Sequence, residues 1–357
     1  MTARRTALEA RLAERELDAL LVSNLVNVRW LTGFTGSNGA AVVGAGGPRF
    51  VTDFRYLTQA AQQLDPSWER EIATELLARV VEGLPDGPLK LGFDDAHVTV
   101  AQHAQLARLT ADRAVELVAA GGLVEALRAV KDAPEIERIR AAAQLADEAF
   151  EEVVGAGVVG RTERDVALDL EIAMRRRGAD AVSFHPIVAA ADHGARPHAE
   201  PRDVPIPPDT LVVIDWGAQL DGYASDCTRT VATGELDPRD RAIYDTVLAA
   251  QEAALAAVRP GPTGREVDAV ARAIIDGAGH AEHFGHGLGH GVGMEVHEGP
   301  RLSKQGKDPL AAGNVVTVEP GIYIPGAVGV RIEDLVAVTA GGCEVLNGLP
   351  KALRTVH

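Results

Sequence analysis

Two stretches set 101 residues apart constrain the fold more than any other feature of the chain. "GRTERDVALDLEIAMRRRG" (160–178) and "GPTGREVDAVARAIIDGAG" (261–279) share Gly, Thr, an acidic residue and Val in the same register. In each, the threonine is placed to cap a helix N-terminus and the closing glycine to end the helix. Caps recur by physics alone, so coincidence is a competing explanation. A true repeat predicts two similar α/β halves facing each other across a cleft, each adding strand-borne groups to one central site.

The 357 residues, 46% of them apolar, suffice for a substantial core and favour two domains. Residues 1–127 read as a smaller α/β domain. An amphipathic helix (about 3–16) precedes apolar "ALLV", and "AAVVGAGGPRFVTDF" reads as two strands joined by a Gly-Pro turn. Helix-like stretches over 54–64 and 70–81 alternate with strand candidates such as "KLGFD". "TGFTGSNG" is Gly-rich but lacks the lysine of a phosphate-binding loop. Residues 128–357 form the second domain. It opens on a helix with Pro134 in its first turn and Ile136, Ile139, Ala143, Ala146, Phe150 and Val153 along one buried stripe. Its strand candidates are "TLVVIDW", "GYASDCTRTVAT", "AGNVVTVEPGIYI" and "GVRIEDLVAVT". The C-terminal "LPKALRTVH" carries no informative feature.

A net charge of −16, from 35 basic and 51 acidic residues, argues against a broad nucleic-acid-binding face. The N-terminus lacks the apolar core of a signal peptide. No stretch approaches the roughly 20 apolar residues of a bilayer span, so the cytoplasm is the expected location. Two cysteines, Cys227 and Cys343, exclude a multi-disulfide scaffold. Cys227 beside Asp226 reads first as a small buried filler.

Four acidic residues stand at or near strand-like runs: Asp215, Asp226, Glu319 and Glu333. Singly, each is an ordinary surface carboxylate or an edge-strand device. Together they suggest an oxygen-rich site. "HFGHGLGHGVGMEVHEGP" adds His283, His286, His290 and His297, and eight of the chain's eleven histidines fall between 185 and 297. Four carboxylates and one imidazole suit a pair of divalent ions such as Mn²⁺ better than a structural zinc site. Four clustered anions without metal would repel one another or take up protons.

The ordered motifs "IDWGAQLDGYASDCTRT", "HGLGHGVGMEVHEGP", "TVEPGIYI" and "GVRIEDLV" resemble those of the pita-bread metallopeptidases, specifically aminopeptidase P and prolidase, over most of residues 130–340. The resemblance implies an α+β fold: a pita-bread (creatinase/aminopeptidase-like) catalytic domain with pseudo-twofold halves, preceded by the α/β domain. It implies two divalent metal ions, Mn²⁺ with Co²⁺ or Zn²⁺ as alternatives. Asp215 would chelate one ion, His290 and Glu319 the other, and Asp226 and Glu333 would bridge both, with a water between the ions as nucleophile. Glu319 would be the general base. His198 and His297 would stabilise the oxyanion or assist proton transfer, and His286 would contact substrate or a ligand. Arg331, two residues before Glu333, is expected to orient carboxylates, with a solvated surface arginine as the competing reading. Phe184 and Tyr223 are expected to wall a pocket for the pyrrolidine ring.

"LTGFTGSNG" followed by "VTDFRYLTQA" is similar to the leading domain of aminopeptidase P-like proteins. The expectation is therefore release of the N-terminal residue from Xaa-Pro peptides by a homodimer, with no nucleic-acid or membrane partner. Prolidase activity is the alternative, with Arg301 available for a dipeptide's free carboxylate, and a non-catalytic peptide-binding homologue is a more distant one. One departure stands out: where related sequences often carry "IVASG", this chain reads "IVAAADHG" (187–194), which substitutes Ala190 and Ala191 and adds His193.

Overall fold

The computed structural model describes residues 2–357, and the chain separates into two compact units at the Arg128–Ala129 junction. The leading unit carries a six-stranded sheet ordered Glu69–Ile72, Arg49–Thr52, Ala40–Gly44, Ala19–Val22, Leu89–Phe93, Val115–Ala119. The two strands flanking the Gly-Pro turn pair antiparallel, with Ala41 opposite Phe50. Strands Ala19–Val22, Leu89–Phe93 and Val115–Ala119 run parallel, and helix Val100–Leu109 lies in one of the crossovers that parallel pairing requires. Leu21, Val42, Val51, Leu91 and Leu106 centre the core. Gly33, at φ 81°, ends helix Leu25–Thr32 in the left-handed conformation a C-cap requires.

The helix expected over 70–81 forms only as Leu76–Glu82; Glu69–Ile72 is an edge strand parallel to Arg49–Thr52. Its Glu and Arg residues are good helix formers, but propensity is a weak prior that tertiary context overrides. Pairing brings Arg49 Nε to 2.7 Å from Glu71 Oε1 with both side chains buried, and that tertiary contact prevails over propensity.

The second unit opens on helix Ala133–Gly155, where Asp132 and Glu135 form a capping box around Pro134. Its apolar stripe meets strand Leu211–Trp216: the Trp216 ring stacks on Phe150 at 4.2 Å, and Trp216 Nε1 donates to Ala146 O at 2.8 Å. This helix and Glu163–Arg176 cover the sheet Ile187–Ala190, Leu211–Trp216, Cys227–Ala232. Helices Pro238–Ala257 and Gly264–Gly277 pack with the sheet containing Gly289–Gly291, Val315–Val318 and Asp334–Val338. The sequence echo is structural. Thr162 accepts from Asp165 N and Thr263 from Glu266 N, and each threonine also bridges to a proline-containing strand edge, Pro205 and Pro309. Two α/β halves related in this way, following an α/β leading unit in the chain, are the creatinase-type, pita-bread architecture.

The C-terminal segment, featureless in sequence, is bound into the first half and behind Glu333. Ala232 N donates to Arg354 O, Val356 N to Ala232 O, and Val158 N to His357 O. Arg229 donates to Leu349 O, Asp334 and the carbonyl of Glu333. Nearby, buried Asp147 accepts from Gly348 N at 2.5 Å and Asn347 Nδ2 at 3.3 Å. Burial pushes its carboxyl up from 3.8 to about 6, against those hydrogen bonds. A carboxyl whose folded pKa is raised holds its proton more tightly in the folded state. Its stabilising contribution is present below its ordinary pKa and lost as pH rises through about 6, a loss of roughly 3 kcal/mol. Asp147→Asn should therefore gain on the wild type by about 2–3 kcal/mol between pH ~4 and pH ~7.5. Urea unfolding of the pair at stepped pH measures it; a difference constant with pH refutes the assignment.

Candidate metal centre

Strand Leu211–Trp216 is buried on both faces and ends by delivering Asp215 into the space between the two halves. Its antiparallel partner Cys227–Ala232 sets Thr228 opposite Asp215, with Asp226 immediately before it. Glu333 lies between strands Val328–Arg331 and Asp334–Val338, where its N–H donates to Thr228 O. From the other half, Gly289–Gly291 carries His290, and Glu319 follows strand Val315–Val318.

The five side chains converge. One oxygen each from Asp215, Asp226 and Glu333 lie within 4.8 Å of one another, a cluster able to hold a divalent cation. His290 Nε2 is 3.6 Å from Asp226 Oδ2 and 3.3 Å from Glu319 Oε1. His290 Nδ1 faces Gly291 O at 3.1 Å, a bond that keeps the proton on Nδ1 and leaves the Nε2 lone pair for a ligand. Thr317 Oγ1 accepts from His290 N and donates to Glu319 Oε1 at 3.1 Å, so one hydroxyl orients both residues.

Among the described residues, Arg331 is the one guanidinium or ammonium in contact with this group. It is 3% exposed, and its Nη2 donates to Asp215 Oδ2 at 2.6 Å. Nη1 donates to Tyr323 OH at 2.7 Å and Pro197 O at 3.2 Å. Nε donates to Thr228 Oγ1, which in turn donates to Glu333 Oε2 at 2.7 Å. Tyr323 OH passes its own proton towards His286 Nε2 at 3.0 Å. Burial, with Arg331 nearby, holds His286 neutral by lowering its pKa to about 4. The solvated-surface reading of Arg331 is therefore wrong: it is a buried tie between two carboxylates and the cleft wall.

One guanidinium does not balance four carboxylates. Burial, then the neighbouring anions, push Asp226 and Glu333 well above the usual carboxylate range. Burial raises Glu319 to about 8 despite Arg331. Asp215 Oδ1 is buried without a hydrogen-bond partner. An orphaned carboxylate oxygen, an imidazole nitrogen with its lone pair turned to the cluster and more buried negative charge than one guanidinium offsets are the donor set of an oxygen-rich divalent-metal site. The residues fit the group.

The cluster floors a cleft of about 480 Å³. His198, His286, His297 and Arg301 stand around it, and Phe184, Pro186 and Ile187 supply an apolar side. The His297 ring lies 4.4 Å from that of His290. The histidine loop is held from behind: Asp268 accepts from Leu288 N, and Arg272 donates to Phe284 O and His286 O.

Residues 137–340 match metallopeptidase family M24, and residues 4–130 match the creatinase/prolidase N-terminal domain. The chain belongs to the M24 metallopeptidases. It is 41% identical to the Bacillus subtilis uncharacterized peptidase YqhT, over 94% of this chain and 95% of that protein. The solved Xaa-Pro dipeptidase of Bacillus anthracis superposes with a TM-score of 0.94 at 37% identity, covering 99% of both chains. The X-Pro aminopeptidase of Thermotoga maritima gives 0.88 at 34% identity, covering 96% of this chain and 99% of that one.

Of the residues named from sequence, this M24 chain brings Asp215, Asp226, His290, Glu319, Glu333, His198, His297, His286, Arg331 and Phe184 to one cleft. Tyr223 is a correction. It is buried on strand Tyr223–Ala224, its hydroxyl donates to Glu135 at 2.9 Å, and it does not line the cleft. A buried tyrosine takes the nearest acceptor, here in the first turn of helix Ala133–Gly155. His193 likewise turns into the protein, against Glu163. Tyr323, Thr228 and Thr317 went unnamed, although "GIYI", "DCTRT" and "VTVEP" contain them. Their signal was present only as polar residues inside otherwise apolar strands.

Proposed function

We propose that this M24 peptidase is an Xaa-Pro dipeptidase. Asp215, Asp226, His290, Glu319 and Glu333 would hold two divalent cations, with Mn²⁺ the first choice for an oxygen-rich set containing one imidazole. Such a pair, when bound, supplies Lewis acidity and a nucleophile competent at neutral pH. The chain's own groups do the rest. Glu319 carries the proton from the attacking water to the departing proline nitrogen. His198 and His297 donate to the carbonyl oxygen as it gains charge. Phe184, Pro186 and Ile187 offer an apolar, water-poor face to a pyrrolidine ring whose nitrogen has no hydrogen to give.

Arg301 carries the choice of dipeptide over longer peptide. It lines the cleft beside His297 and has no hydrogen-bond or ion-pair partner among the described residues, so its guanidinium is available for a free carboxylate. The higher similarity to the Bacillus anthracis dipeptidase than to the Thermotoga maritima aminopeptidase points the same way. This reverses the preference drawn from the leading domain's motifs.

Mass spectrometry of Xaa-Pro against Xaa-Pro-Xaa, with Mn²⁺ added, tests the reading. Dipeptide cleavage should be favoured by about tenfold or more, and Arg301→Ala should raise the dipeptide KM by about the same factor. Preference for the tripeptide assigns aminopeptidase P activity instead. No cleavage by protein of verified metal content rejects a peptidase.

A further inference from the structure

We propose that Glu163 is a positioning residue for the substrate cleft, pinning both ends of the segment 190–202 so that His198 is held against the metal centre. The proposal rests on the proposed peptidase reading for its kinetic consequence but not for its structural one.

Glu163 is 1% exposed, in the first turn of helix Glu163–Arg176, and is not among the residues that line the cleft. Its carboxylate gathers the two ends of one segment. Oε1 accepts from Ala190 N at 3.0 Å and Oε2 from Arg202 N at 2.9 Å. Arg202 adds a fork, Nη2 to Oε1 and Nε to Oε2, each at 3.0 Å. His193 Nδ1 completes the set at 2.9 Å from Oε2. Burial works to raise this carboxyl, yet Arg202 and the two backbone N–H groups hold it below its ordinary value.

Between those ends the segment turns over and reaches the cleft. Ala191 sits at φ 54°, in the left-handed region that a residue with a Cβ rarely adopts. Gly194 packs so closely on strand Val328–Arg331 that a Cβ on Gly329 would lie 1.8 Å from Gly194 O. Pro197 O accepts from Arg331 Nη1, the same guanidinium that holds Asp215. The next residues, His198 to Pro201, line the cleft. The His198 ring makes no hydrogen bond among the described residues, so its place depends on the segment that carries it. Glu163 at the base and Arg331 at the crown are the side chains that fix that segment, with Arg164 N donating to Arg202 O at 3.1 Å beside the first. The first is outside the chemistry and is assigned no role by the metal-ligand motifs.

The test uses the full chain carrying Glu163→Gln, which keeps the volume but removes the charge that Arg202 and His193 face. Amide exchange over 190–202 should quicken by about tenfold or more while helix Ala133–Gly155 is unaffected, and Mn²⁺ affinity should stay within about twofold. Dipeptide kcat/KM should fall by on the order of a hundredfold. Added to His198→Ala, the change should cost no more than about a further twofold, because it acts through that ring. Unchanged exchange, unchanged kcat/KM, or a full multiplicative loss in the double variant each overturns the proposal. Arg202→Gln, which removes only the half-exposed member, should show the same pattern in smaller measure and serves if Glu163→Gln fails to fold. Should the wild type cleave no Xaa-Pro bond, the peptidase reading fails separately, and the exchange measurement decides the clamp.

Discussion

Asp226→Asn protein is expected to fold as the wild type does, to lose Mn²⁺-induced stabilisation, and to fall by on the order of a thousandfold or more in kcat. Asp226 is buried, and burial, then three neighbouring carboxylates, raise its carboxyl and favour its neutral form. Asparagine has the shape of that neutral acid, so unfolding free energy without metal should change by about 1 kcal/mol or less. Added metal separates the proteins. A ligand at 100 times its Kd stabilises by about 2.7 kcal/mol, which the wild type gains and the variant forfeits. The same raised carboxyls set the pH dependence. Metal must displace protons from Asp226 and Glu333, so affinity rises with pH, by about tenfold per pH unit for each proton released. Calorimetry in buffers of different ionisation enthalpy counts those protons. Turnover and metal-dependent stabilisation retained by Asp226→Asn would contradict the assignment.

Arg331→Met is expected to cost about 3–5 kcal/mol in unfolding free energy. The removed side chain makes hydrogen bonds to Asp215, Tyr323, Thr228 and Pro197, all in the buried space between cleft and core. Methionine fills the volume but leaves a carboxylate in low dielectric with no compensating charge. Arg331→Lys should recover part of the loss, since lysine restores the charge without the planar fork. Metal affinity should fall as well, because Asp215 loses the contact that fixes its plane. Denaturant unfolding and Mn²⁺ titration of the two variants measure both effects. A methionine variant within about 1 kcal/mol of wild type would mean that Asp215 is solvated or protonated there instead.

How far the site could be read from sequence depended on chain distance. Asp215 and Asp226 occupy one hairpin, and Glu319 and Glu333 stand beside short β runs, so their residue types and order were visible. Tyr223 was misassigned because an aromatic next to the metal motif does not reveal which side of its strand it occupies. Its short strand sends the hydroxyl to Glu135, 88 positions earlier. Glu163 drew no notice as a functional group because its partners, Ala190, His193 and Arg202, are 27 to 39 positions away. The 70–81 stretch has the local propensities of a helix, whereas Arg49, the partner that favours the strand, stands 22 positions from Glu71 in sequence. The "IVAAADHG" departure adds His193, and the fold uses it to fasten the segment's base against Glu163.

What the chain settled by itself is local and periodic: capped helices at a repeat of 101 residues, apolar strands interrupted by carboxylates, and a histidine-rich glycine loop. Those features follow from propensity, capping and alternation, which act over a few residues. Tertiary structure alone decided which of those polar side chains share a low-dielectric space. There, desolvation and long-range pairing raise the carboxyls of Asp226 and Glu333, bury Arg331 between Asp215 and the cleft wall, and hang His198 on a segment tied at Glu163.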